Sequence, residues 1–453
     1  MSQQNLEFTP GLQTNEVELT QSHLETSRAI VELLAGAVTQ RDFTVRWWNG
    51  IEDAPPKISR FTLTLGHPGA LRRMLMPPTE LALAEAFIRK DWDADDLSAA
   101  LGFQEAFATA SSPAKLARLV PLLRSLPTDD LPPEARLERP KPNLSSGRVH
   151  TKAQDASDVR SHYDLGNDFY QLFLDAKMVY SCAYFETPKV SLEAAQTAKL
   201  DLICRKLRLH SGERLLDIGC GWGGLLIHAA QHYGVRGMGI TLSRQQADLA
   251  RERIKAVGLE NQIEIAVKDY RDLSKLTAFD KIASVGMVEH VGRANIRPYF
   301  QTAYRLLVPG GVFLCHSIVE IRTPQAFVPK LVHALTWRNT SFLHHYIFPG
   351  GETPYPSQLL SAAEGAGFET RDVESLREHY GLTAQHWAER LEDNHKTAIS
   401  LVGEPTYRAY RLYLRAVIRT FKTRVNGLNQ ILLSKPLADG SSNLPLQRTD
   451  WYE

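Results

Sequence analysis

Cysteine is scarce and scattered: the 453 residues hold four, Cys182, Cys204, Cys220 and Cys315, with no CxxC pair. That spacing argues against a zinc ribbon or a disulfide framework, so no metal centre is expected and the thiols are read as reduced. A surplus of either charge is missing too, since 52 Lys and Arg nearly balance 51 Asp and Glu. No overall field gathers nucleic acid, and any attraction to anions must be local. Long apolar runs are absent: nothing approaches the roughly 18 residues of a membrane span, and Met1 to Pro10 has neither the basic region nor the apolar core of a signal peptide. The reading is a cytoplasmic protein. What remains is 43% apolar and 23% charged, an ordinary globular composition. Its length fits two domains.

The first half mixes helix and strand. Residues 19–38 have helical spacing, and Phe61, Leu63 and Leu65 alternate as in a strand. PPTELALAEAFIRK (77–90) opens with Pro77, Pro78 and Thr79, a helix start signal. DWDADD (91–96) resembles a calcium loop, but Asp96 stands where Gly belongs and Gly102 where Glu belongs, so a solvated acidic turn is expected. An α+β accessory domain is assigned to 1–125. Pro127, Pro132, Pro133, Pro140 and Pro142 mark an extended connector over 126–149. Residues 150–440 form the main domain and 441–453 a tail. From Arg214 onward, RLLDIG, VRGMGIT, IEIAVKD, KIASVGM and GGVFLCHSIV read as strands with helical segments between them. This pattern predicts an α/β doubly wound, mostly parallel, Rossmann-like sheet.

LLDIGCGWGG (215–224) runs a strand into a glycine turn, with Gly219, Gly221, Gly223 and Gly224 freeing the main chain to meet a ligand at a helix N-terminus. A purely structural turn and a nicotinamide site are both alternatives to that extent. A nicotinamide site wants an acid about 20 residues on to hold the ribose, and that place reads GITLSRQQ (239–246) with none. Asp217 instead precedes Gly219 by two, the DxGxGxG arrangement of methyltransferases that use S-adenosylmethionine.

Further segments carry a more specific likeness: HYDLGNDFY (162–170), YSCAYF (180–185), DYRDL (269–273), GMVEHVG (286–292) and IFPGG (347–351). With LLDIGCGWGG and GITLSRQQ they make the chain resemble the cyclopropane-fatty-acyl-phospholipid synthases and mycolic acid cyclopropane synthases. The resemblance spans most of 150–400. It implies methyl or methylene transfer from S-adenosylmethionine to the double bond of an unsaturated phospholipid acyl chain, giving a cyclopropane ring. A methyl- or methylene-branched product from the same transfer is the alternative, and a small-molecule methyltransferase fits less well. The family holds bicarbonate beside the reacting carbon, which by likeness falls to Cys182, Glu289, His316, the Ile318 amide and Tyr380, the last on a looser match in REHYG. Cofactor contacts carry over to Tyr180 and Ser181 at the methionine end, Asp217, Gly219, Cys220 and Gly221 at the loop, Thr241 and Gln246 near the ribose, and Asp269 with Tyr270 at the adenine. Some members carry a Cys just before an Asn-Gln pair. Here Leu428 precedes Asn429 and Gln430, so no thiol acts there. A homodimer is also implied.

The residue types suit that chemistry. An alkene has no proton to lose before it attacks, so a placed donor and a dry slot matter first. Ring closure then needs a base close to the new methyl group, one too weakly nucleophilic to be alkylated. His316, Tyr380 and the Ile318 amide could donate hydrogen bonds to bicarbonate, while Glu289 could accept from its hydroxyl or orient His316. Without the motifs around them, Glu289 reads as a helix N-terminal charge, His316 as a core residue and Cys182 as a buried thiol. From Tyr407 to Phe421 an apolar face (Tyr407, Tyr410, Leu414, Val417, Phe421) lies beside a basic stripe, Arg408, Arg411, Arg415, Arg419 and Lys422. The plain reading is a core-facing helix with a solvated basic side; the sharper one is contact with an anionic membrane surface by a peripherally bound enzyme.

Overall fold

A computed structural model of the chain describes residues 11–102, 113–128, 150–163, 165–273, 278–321, 341–442 and 444–452. Most of the connector expected at 126–149 lies outside them, as do Met1 to Pro10 and Asp164 of HYDLGNDFY. The chain divides into two compact units, one from the described residues before 129 with Ser341 and Phe342, the other from the rest.

The first unit carries α1 (Gly11–Ala35), β1 (Thr44–Arg46), β2 (Glu52–Asp53), β3 (Thr62–Leu65), α2 (Ala70–Leu75), α3 (Glu80–Ile88), β4 (Trp92–Ala94) and α4 (Pro113–Ser125). Its strands lie in the order β2-β1-β3-β4. Phe61, Leu63 and Leu65 are buried, as their alternation predicts. Thr79 caps α3 by accepting the Ala82 N–H at 3.1 Å. The acidic run differs from the solvated turn expected of it. Asp91 is buried and accepts from Arg73 (3.1 Å) and His67 (3.0 Å), and Asp95 receives the Thr62 amide. Trp92 and Ala94 pull this stretch into the sheet, so its first carboxylate must find partners inside.

The second unit contains α5 (Lys152–Tyr163), α6 (Leu192–Leu207), β5 (Arg214–Ile218), α7 (Gly224–Tyr233), β6 (Arg236–Thr241), α8 (Arg244–Ala256), β7 (Ile263–Val267), β8 (Phe279–Val285), α9 (Ile296–Leu306), β9 (Leu307–Glu320), α10 (Pro356–Glu364), β10 (Glu369–Ser375), α11 (Arg377–Asp393), α12 (His395–Lys422) and β11 (Asn426–Ser434) as its principal elements. Its seven strands run in the order β10-β11-β9-β8-β5-β6-β7. All pairings from β9 to β7 are parallel, and β11 joins β9 and β10 antiparallel. Leu215 enters the core on one face with Leu226, Ala229 and Ile254; Leu216 enters the other with Tyr299, Phe300 and Phe313. A strand buried on both faces needs the near-continuous apolar run that RLLDI supplies. Trp451, near the chain end, is also buried in the first of these clusters.

The basic stripe is mostly committed inside the protein. In α12, broken at Gly403 (φ 77°, ψ 156°), Tyr407, Tyr410, Leu414 and Phe421 are buried, and so is Arg408. Arg411 and Arg415 both bond to Glu392 of α11, Arg415 at 2.5 Å. The core-facing reading of this helix is the one its packing supports. No described helix is long and apolar enough to cross a membrane.

Candidate active site

A cavity of about 130 Å³ opens at the C-terminal ends of β5, β6 and β8. Chain order reverses here, with β6 on one side of β5 and β8 on the other, the position where open α/β sheets bind ligands. Tyr180, Ser181, Asp217, Gly219, Cys220, Gly221, Thr241, Gln246, Asp269 and Tyr270 all line it. The glycine turn is held against β6 because the Gly219 and Cys220 amides both donate to the Ile240 carbonyl at 3.0 Å. Gly219 sits at φ 87°, a backbone angle that calls for glycine, and a Cβ there would press on the Met287 side chain, 3.0 Å from its Cγ.

The cavity is electrostatically unusual. Asp217 is buried, and burial pushes its carboxyl up to about 7, partly opposed by Lys199. Its Oδ1 has no hydrogen-bond partner among the described residues. Lys199 is buried as well and donates to Ser181 Oγ at 2.9 Å; burial pulls it down to about 8. Thr241 donates to Gln246 Oε1 at 2.8 Å, so the two ribose-side candidates are linked to one another. Asp269 is gripped by Arg271 through its Nε (2.8 Å) and a terminal nitrogen (2.6 Å), and Arg271 also reaches Asp155 at 2.8 Å. This places α5 against the cavity wall formed by Asp269 and Tyr270.

None of Cys182, Glu289, His316, Ile318 and Tyr380 lines that cavity, yet backbone contacts gather them beside it. Glu289 Oε1 accepts the Ile318 amide at 2.6 Å. Ile318 on β9 faces Leu428 on β11. The Leu428 carbonyl accepts the Leu376 amide at 2.8 Å, and the Leu376 carbonyl accepts both the Tyr380 amide (3.1 Å) and the Cys182 Sγ–H (3.8 Å). His316 stands two residues before Ile318, and its carbonyl accepts from Gly286, a cavity-wall residue, at 2.8 Å. Burial pushes Glu289 up to about 7. Burial drives His316 well below the ordinary 6.5, with Lys199 and Lys206 adding to the effect. The Cys182 thiol is pushed far up by burial, which excludes a thiolate nucleophile near neutral pH.

Within the cluster the Ile318 amide donates to Glu289 Oε1, and His316 Nδ1 meets Gln430 Nε2 at 3.2 Å. What stays open in the cluster is Glu289 Oε2 and His316 Nε2, both buried with no hydrogen-bond partner among the described residues. Such atoms are costly unless something polar meets them. Sequence reasoning missed Lys199, Arg271, Lys206 and Gln430. Gln430 and Arg271 had a signal, the Asn-Gln pair after Leu428 and the motif DYRDL; the two lysines are ordinary helix cations until the fold buries them.

An S-adenosylmethionine-type cavity on a doubly wound sheet defines a methyltransferase class, and comparison with known proteins narrows it. Residues 150–431 match the family described as mycolic acid cyclopropane synthetase. A probable fatty acid methyltransferase of Pseudomonas putida is 45% identical over 305 residues, covering 67% of this chain and 76% of its own. Another, from Mycobacterium tuberculosis, is 33% identical over 405 residues and covers 86% and 90%. Among solved structures, a mycolic acid cyclopropane synthase crystallised with S-adenosylhomocysteine and CTAB is 34% identical, with a TM-score of 0.57 over 61% of this chain and 97% of that one. The chain belongs to the mycolic acid cyclopropane synthetase family and is an S-adenosylmethionine-dependent methyltransferase that modifies lipid acyl chains.

Proposed function

We propose that the enzyme adds a methylene unit from S-adenosylmethionine across the double bond of an unsaturated phospholipid acyl chain and closes a cyclopropane ring, with bicarbonate as the base. The observation that carries this is the pair of buried, unpartnered polar atoms, Glu289 Oε2 and His316 Nε2. A carboxylate oxygen accepts from a hydroxyl and an imidazole nitrogen can donate to an oxyanion, the complement of bicarbonate. When bound, bicarbonate supplies a weakly nucleophilic base. The chain's own residues do the rest. The Ile318 amide fixes Glu289, Tyr380 stands on the helix whose entry holds Cys182, and Tyr180, whose ring packs 5.1 Å from that of Trp387, joins the cavity to this cluster. On the cofactor side, Tyr180 and Ser181 take the methionine end, Asp217 and the Gly219 to Gly221 turn its middle, Thr241 and Gln246 the ribose, and Asp269 and Tyr270 the adenine.

A second reading is favoured by the two relatives named fatty acid methyltransferases. There the cation formed after methyl transfer loses its proton from a neighbouring chain carbon, or, once a 1,2-hydride shift has carried the charge to the carbon that bears the new methyl, from that methyl, and a branched, still unsaturated chain results. Mass spectrometry of lipids from cells fed labelled methionine separates the two. Every product gains one CH₂, and only the ring loses the alkene; no labelled acyl chain at all would refute both.

The acyl chain is reached by docking on the cytoplasmic face of a bilayer, and the enzyme works as a homodimer. Family likeness supports both points. The Arg408 to Lys422 stripe adds nothing to the first, since Glu392 holds its central arginines. Vesicle flotation and sedimentation velocity test them in turn.

A further inference from the structure

Gln430, Lys206 and Glu374 lie in one line across the sheet. Gln430 on β11 is opposite His316 on β9 and, on its other side, opposite Glu374 on β10. Lys206, from the last turn of α6, drops onto this line with its side chain fully buried. It pairs with Glu374, lies 3.8 Å from Asp372 and donates to Gln430 Oε1 at 2.9 Å.

An ammonium group has three donors and no acceptor. The carboxamide of Gln430 therefore has only one serviceable orientation, oxygen towards Lys206. Its Nε2, a donor only, is then left 3.2 Å from His316 Nδ1. Nδ1 must accept. A neutral imidazole carries one N–H, so that proton sits on Nε2, and a doubly protonated ring would set N–H against N–H. The buried surroundings and the cations Lys199 and Lys206 already hold the ring neutral. Nε2 is the ring atom with no partner among the described residues.

We propose that Lys206, acting through Gln430, holds His316 in the tautomer protonated at Nε2, so that this atom is a fixed hydrogen-bond donor in the base cluster. Lys206 and Gln430 are positioning residues; neither is placed against the reacting atoms. The catalytic use of the donor rests on the reading of His316 given above, whereas the tautomer rests on hydrogen-bond chemistry alone. A fixed donor meets a developing or bound anion with no reorganisation, which is where such groups contribute most. A free rotor at 430 would let the proton occupy either nitrogen and divide the enzyme into competent and incompetent fractions.

The full-length protein labelled with ¹⁵N-histidine, with His316 assigned through His316→Gln, reports the tautomer in long-range nitrogen–proton spectra. The wild type is expected to show a neutral ring protonated at Nε2. Gln430→Glu keeps the shape but turns the donor into an acceptor, and it should move the proton to Nδ1. With S-adenosylmethionine and vesicles of monounsaturated phosphatidylglycerol, its kcat should fall roughly 100-fold, the cost of losing one aimed donor, while cofactor affinity measured by calorimetry is unchanged. Lys206→Met, which frees the amide to turn, should give both tautomers. A wild-type ring protonated at Nδ1, or a Gln430→Glu spectrum identical to wild type, overturns the relay. A moved proton with normal kcat leaves the relay standing and refutes the role given to His316.

Discussion

Glu289→Gln separates the role of this side chain in stability from its role in turnover. The carboxyl is raised from the ordinary 4.5 to about 7, chiefly by burial. At 1.36 kcal/mol per pH unit this is a penalty of about 3 kcal/mol on the ionised form. The sign follows from proton binding: the folded state holds the proton more tightly than the unfolded one. Below pH 4.5 the group is neutral in both states and has no effect. Between pH 4.5 and 7 stability falls, and above 7 the full penalty stays. The glutamine variant keeps an oxygen for the Ile318 amide and has no charge to bury. Urea unfolding at pH 5 and pH 8 should therefore show the wild type losing about 2.5 kcal/mol more than the variant across that interval, the other titrating groups being common to both. Turnover should go the opposite way, with cofactor binding retained and most activity lost. Parallel stability curves would show that Glu289 is not buried as a strained acid, and normal turnover would remove it from the base cluster.

Gly219→Ala places a side chain at φ 87° and 3.0 Å from Met287 Cγ; with about 1–2 kcal/mol of left-handed strain it should weaken S-adenosylmethionine binding about tenfold, and unchanged calorimetric affinity would refute the tight turn. Arg271→Ala releases Asp269 and Asp155 together, so both the melting temperature and cofactor affinity should drop; a drop in the first alone would mean the clamp is only structural. Arg415→Ala removes two contacts to Glu392 and should cost up to about 1 kcal/mol without changing the salt dependence of binding to anionic vesicles. A weaker salt dependence would restore a headgroup role to this face.

Legibility in the sequence followed the reach of each interaction. The parallel strands were readable because burial on both faces enriches them in apolar residues, as at Leu215, Leu216 and Ile218 of RLLDI and Ile282, Ala283 and Val285 of KIASV. The cofactor wall was readable because a glycine turn, an acid two residues before it and the end of the next strand lie close in sequence. The base cluster was placed only through likeness. Its cross-links, Cys182 to Leu376, Leu376 to Leu428 and Glu289 to Ile318, join segments far apart in the chain. Nor does any local pattern announce that Lys206 is buried or that Asp91 is not in solvent. Both facts come from which helix or strand lands on them.

On the mechanism proposed above, burial of Glu289 and containment of a carbocation share one physical cause. A wetter cluster would let the carboxyl ionise at its ordinary value, and it would also offer the cation a water molecule, whose oxygen would bond to carbon and shed a proton to give an alcohol. The raised value of about 7 follows from the burial of Glu289, and on the proposed mechanism the same burial keeps water from the cation until it loses a proton. Leu428 is the residue to test this on. It is 2% exposed and faces Ile318, whose amide holds Glu289. Leu428→Ala deletes three carbons from this buried position on the strand beside Ile318 and should cost about 2–5 kcal/mol of stability, leaving room that water can enter beside polar groups. Lipids made by the variant should then include chains heavier by one CH₂ plus one water, and the midpoint of its kcat–pH profile should fall from near 7 towards the ordinary carboxylate range. A lowered midpoint with no alcohol would show that water reaches Glu289 without reaching the cation, and would separate two sites that the dry-cluster argument treats as one.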